Sequence, residues 1–156
     1  MKKYDFFNEQ MVFYTGEKHE HLYNFFSQNY KVLYHEFFVM AATIGFIHQR
    51  KGVREGIGKE FRSNFFDDKE KSVLYTILLS DEVYGKDIEG FAQKEQWSNY
   101  RKVLEEYAVG GMDYIVENAL SGKVSESFID DNYQYYAKDI VDFLLDELEQ
   151  DPFDFI

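Results

Sequence analysis

Four histidines, 29 acidic residues and 17 lysines and arginines are the side chains able to do chemistry in this 156-residue chain, which has no cysteine. His35-Glu36 begins the pattern H-E-x-x-H, in which two imidazoles one helical turn apart hold Zn²⁺ and the glutamate acts as base. Position 39 is Val, so the second ligand is missing and His35 reads as a packing or surface residue. His19-x-His21 sends two imidazoles to different helix faces and reads as a surface pair. Gly52, Gly56, Gly58 and Lys59 lack the spacing and the hydroxyl of a phosphate loop, so the stretch reads as a flexible connector. No G-x-S-x-G elbow occurs, and without Cys a nucleophile with its base is scarcely available. The expectation is therefore a non-enzyme with no catalytic residues, no cofactor and no metal site.

Carboxylates are numerous at Asp67-Asp68, Glu105-Glu106, Asp130-Asp131 and in the series Asp139, Asp142, Asp146, Glu147 and Glu149. Adjacent acids on a helix point about 100° apart and do not converge on one ion, so a solvated acidic face is expected rather than a divalent-cation site. The formal charge is −12. Its distribution is uneven, because Arg50, Lys51, Arg54, Lys59 and Arg62 face only Glu55 and Glu60 over residues 50–62. That stretch is +3, and the remainder carries −15. Two readings of the stretch follow. As a phosphate- or partner-contacting loop it uses those five cations, with its glycines letting the backbone follow a surface. As a structural feature it pairs with the acidic faces. No aromatic interleaving of the single-strand-binding kind accompanies it.

The elements that would position these groups are helices. Residues 18–29 place Leu22, Phe25 and Phe26 at helical spacing, and residues 31–49 set Val32, Leu33, Phe37, Met40, Ala41, Ile44 and Ile47 on a broad stripe expected to form the central buried helix. Residues 50–65 read as a loop. Asp67 and Glu70 form a capping box ahead of a helix over about 68–82. The apolar period resumes after Asp87 and runs to Ser121-Gly122, with Gly110-Gly111 read as a kink or as the join between two helices. A last helix is expected over 130–148, stopped by Asp151-Pro152. The fold class expected is all-α: a single compact domain over 1–156, built as a bundle of about five or six helices.

Sixteen Phe, 13 Tyr and one Trp promise an aromatic core, because each ring buries on the order of 150–250 Å². With no linker composition, no long apolar run and no secretory pattern at Met1–Asp5, the chain reads as one soluble cytoplasmic domain away from membranes.

Two short runs carry a family resemblance. Phe37-Phe38-Val39-Met40-Ala41-Ala42-Thr43-Ile44-Gly45-Phe46 followed by Arg50 resembles F-x-x-A-A-x-x-G-[YF]…R, and Glu105-Glu106-Tyr107-Ala108-Val109-Gly110-Gly111-Met112 resembles E-E-Y-A-x-G-G-[LM]. Both are similar to the DNA phosphorothioation-associated (Dnd system-associated) protein 4 family, over roughly residues 25–120. The resemblance implies an accessory or regulatory subunit of a bacterial DNA-modification-linked antiphage defence system. Its partners would be other proteins of the defence operon, with direct DNA contact as a further route. It brings no catalytic residues to carry over. The alternative is an acidic nucleic-acid mimic that occupies the basic groove of a nuclease, which the −15 outside residues 50–62 motivates. Physically, Ala41, Ala42 and Gly45 offer a thin helix face against which Gly110-Gly111 can pack. The tail Asp151–Ile156 sets Phe153, Phe155 and Ile156 among acids, either to cap the bundle or to dock on a partner.

Overall fold

The computed structural model describes residues 7, 11–83, 85, 93–125 and 128–149. Five α-helices dominate: α1 (Glu20–Tyr30), α2 (Tyr34–Ile47), α3 (Asp68–Ser80), α4 (Lys94–Ala119) and α5 (Tyr136–Glu149). The helical character follows the expectation, and a small antiparallel sheet joins it, formed by β1 (Val12–Tyr14) and β2 (Glu60–Arg62). The sheet corrects the all-helical reading. Part of the stretch taken as loop is strand β2, because Phe61 pairs in register with Phe13. Their rings stack at 5.8 Å and both meet Phe38 of α2 edge-on. Two isolated three-residue strands are stable only when their faces pack on something larger. Here that support is an aromatic cluster completed by Phe7 and Phe66.

Helix α3 begins as the sequence reading expects. Asp67 Oδ1 accepts from the Glu70 amide at 2.8 Å, and Glu70 Oε1 accepts from the Asp67 amide at 3.0 Å. Helix α1 ends where Lys31 turns into the left-handed region at φ 56°, its amide returning to the Phe26 carbonyl.

At the centre, α2 crosses α4. A Cβ added at Gly111 would lie 1.6 Å from the Ala41 carbonyl oxygen, and one at Gly45 would lie 2.1 Å from the Tyr107 carbonyl oxygen. The two backbones touch there with no side chain between them. Gly110-Gly111 is thus not a join between two helices: α4 runs through it as one helix of 26 residues. Two mid-helix glycines cost about 1 kcal/mol each in propensity, which the close contact offsets. Leu22, Phe38, Leu74, Leu104 and Met112 are buried around this crossing.

Helix α5 packs on the outside. Tyr136 is buried against Phe25 and Phe26 of α1, its hydroxyl donating to the Asp130 carbonyl at 2.6 Å. Near the other end, Glu147 meets His48 Nε2 at 2.8 Å while the His48 ring stacks 3.9 Å from Tyr114 of α4.

Candidate functional site

Residues 48–59 leave α2 and run along α4, and the backbone holds them there. The Gly52 amide donates to the Glu106 carbonyl at 2.9 Å, and a Cβ at Gly110 would lie 2.1 Å from the Arg50 carbonyl oxygen. The other flank is sewn to residues 15–17, with Thr15 and Glu17 amides donating to Lys59 and Glu55 carbonyls and Gly58 donating to Thr15. The flexible connector of the sequence reading is therefore a bonded strip.

That strip brings its cations onto acids far away in sequence. Arg50 makes a two-pronged contact with Glu117, both distances 2.7 Å. Lys51 Nζ lies 2.9 Å from Asp81, which is buried at the end of α3 and also accepts from the Tyr107 hydroxyl. Arg54 Nε donates to Glu105 at 3.2 Å. Lys59 sits 3.8 Å from Glu20, over the Tyr34 ring. Arg62, on β2, is exposed, with no ion pair among the described residues. The other four cations are each paired with a different carboxylate.

Glu105 is the most unusual of the partners. Only 3% exposed, it also accepts from the Tyr14 amide at 2.8 Å. Burial pushes its carboxyl above the usual range, against the lowering by the Tyr14 amide and by Arg54 and Arg101. Arg54 and Arg101 flank the Tyr14 ring at 5.2 and 5.9 Å. Beside them opens a cleft of about 320 Å³ lined by Ser98, Asn99, Lys102 and Glu106 as well. The Nε of Arg101 is buried there without a hydrogen-bond partner among the described residues.

The histidines are structural pins. His19 is 4% exposed, with Nε2 2.9 Å from Asp113, because its turn packs on α4. The surface placement expected for it is wrong. His21 Nε2 meets the Ser125 carbonyl, and His35 Nδ1 lies 3.1 Å from Glu70. Burial would raise the Asp113 carboxyl, but hydrogen bonds from His19 and Lys18 outweigh it and hold the group at about 2. Among the described residues no three His, Asp or Glu side chains gather where they could hold one metal ion.

A feature no motif announced lies on α5. Val141, Leu145 and Leu148 are 52, 51 and 80% exposed, and Ala137 is exposed one turn earlier. Spacings of three and four residues put them on one seam. Beside Ala137 and Val141, a groove of about 480 Å³ runs between α5 and the α1–α2 corner over Phe26, Tyr30, Val32, Phe37, Met40 and Ile140. The apolar period of the helix was visible in sequence. It did not say that two faces are apolar and only one is covered. Phe153, Phe155 and Ile156 lie outside the described residues.

Comparison with protein-family models, with curated proteins and with solved structures gives no match.

Proposed function

We propose that the chain is a non-enzymatic accessory or regulatory subunit that works by protein–protein contact. Its setting, on the resemblance of the runs at 37–50 and 105–112, is a bacterial DNA-modification-linked antiphage defence system. One observation supports contact with protein over contact with phosphate. Four of the five cations in the basic strip are engaged by Glu117, Asp81, Glu105 and Glu20, whereas the apolar seam of α5 is left open. At those four cations a phosphate would compete with a carboxylate already in place, which leaves Arg62 as the cation of the stretch with no such competitor among the described residues. The chain's net −12 opposes DNA over most of its surface. No helix among the described residues is long and apolar enough to cross a membrane.

The test is purification of the tagged protein at native level from its own host. Stoichiometric recovery of products of neighbouring defence genes, surviving nuclease treatment, is the expected result. Recovery that disappears with nuclease, or binding to duplex DNA with a steep salt slope, would replace the protein-binding reading with direct DNA contact. Recovery of no neighbouring product would overturn the setting.

A further inference from the structure

We infer that the open face of α5, together with the adjoining groove, is the docking surface for a basic amphipathic helix of a partner protein. The inference rests on the protein-binding reading above and names the surface and the chemistry of the partner.

The surface is continuous, since Ala137 and Val141 belong to both the groove and the exposed seam. At the α1–α2 corner the groove also carries one charge of each sign, Lys31 and Glu36. Helix α5 spans about 21 Å at 1.5 Å per residue. That length matches a partner helix of three to four turns, presenting its own anchors at i, i+3 or i+4, and i+7.

Charge decides what that helix must carry. Five acids face one lysine on α5, for a net −4. Lys138 is committed to Asp142 at 2.6 Å, Glu147 to His48, and Asp139 to the Tyr133 hydroxyl. Asp146 and Glu149 remain exposed, with no ion pair among the described residues. On the helical wheel Glu149 and Asp142 lie just beyond the outer edge of the seam, Lys138 sits between them and Leu145, and Asp146 lies about 100° past Leu145. A second copy would set −4 against −4 across the contact and −12 against −12 beyond it. Self-association is thereby opposed, and lysines or arginines flanking an apolar ridge are favoured.

The experiment uses the full chain and two synthetic helical peptides sharing a leucine seam, one flanked by lysines and the other by glutamates. Backbone amide shifts map the binding, and a triple variant Val141→Ser, Leu145→Ser, Leu148→Ser removes the seam. These side chains are half exposed or more, so the variant should retain its helicity and cooperative melting. Expected are shifts confined to α5 and the groove, at least tenfold weaker binding of the lysine peptide to the variant, and a similar deficit for the glutamate peptide on the native protein. Equal affinity for variant and native protein, or shifts spread over the other acidic faces, would overturn the inference. So would a dimer in sedimentation equilibrium that the variant dissolves, which would make a second copy the occupant. A tenfold gain in peptide affinity on deleting residues 151–156 would overturn it too, in favour of the chain's own tail. The two proposals fail separately. A defence complex untouched by the serine variant removes the surface and keeps the setting, whereas peptide docking on α5 without any such complex removes the setting and keeps the surface.

Discussion

Gly111 accepts no side chain, because the methyl group of an alanine would fall 1.6 Å from the Ala41 carbonyl oxygen. The clash is with backbone, which cannot rotate aside. Gly111→Ala should lower the unfolding free energy by about 3 kcal/mol, the upper end of ordinary overpacking. Gly16→Ala, whose added carbon would meet nothing nearer than 3.6 Å, should be close to neutral in the same urea titration. Arg54 makes a second case. Its removal leaves buried Glu105 with the Tyr14 amide and the more remote charge of Arg101, and the carboxyl loses its direct cation partner. Arg54→Ala should therefore cost about 2 kcal/mol, while Arg62→Ala should fall within about 0.5 kcal/mol of the native protein. A loop that merely displayed cations would lose Arg54 without thermal consequence, and equal melting of the two variants would mark it as such. The pairing was not legible because Glu105, Asp81 and Glu117 lie 30 to 67 residues from their cations. A stretch of sequence states its own charge and is silent on who answers it.

Helices with an apolar stripe and a local start signal were read closely. Asp67 and Glu70 stand three residues apart and cap α3 by reciprocal bonds within four residues of sequence. The pair of β1 and β2 could not be seen in the same way, since each strand is three residues long and its partner is about 50 residues distant. Gly110-Gly111 misled for a related reason: local propensity allows a join between two helices there, and what the glycines serve is the close approach of the α2 and Arg50 backbones, far away in sequence. Helix α5 is held along one face. Tyr136 anchors its start, Phe143 packs its middle on Tyr114, and the His48–Glu147 contact holds its end. Tyr136→Ala should release the helix at a cost of about 3–5 kcal/mol of local stability. Amide exchange should then quicken across 136–149 and stay slow in α2 and α4. Uniform quickening through all helices would mean instead that α5 belongs to the central cooperative unit.

The chain as a body carries −12, and two interior carboxyls give its acid stability opposite slopes. Asp113 is held at about 2 against an ordinary 3.8, so its contribution is complete above the ordinary value and is lost as pH falls through about 2. Glu105 is displaced upward, so the folded state holds its proton more tightly than the unfolded chain. Its contribution declines as pH rises above the ordinary glutamate value of 4.5. The stability deficit of Asp113→Asn should accordingly shrink by about 1–2 kcal/mol between pH 5 and pH 2.5. That of Glu105→Gln should shrink in the other direction, as pH is raised from 4. Parallel deficits in denaturant titrations across this range would refute both assignments. The contact of α2 with α4 has a consequence for ancestry. Aromatic interiors drift easily, because one ring can be exchanged for another if volume is kept. A crossing made of bare backbone offers no such currency of exchange. In a diverged descendant the outer helices and the basic strip could become unrecognisable while small residues persist at 41, 45 and 111, so distant kin would be found by that spacing before they were found by overall likeness.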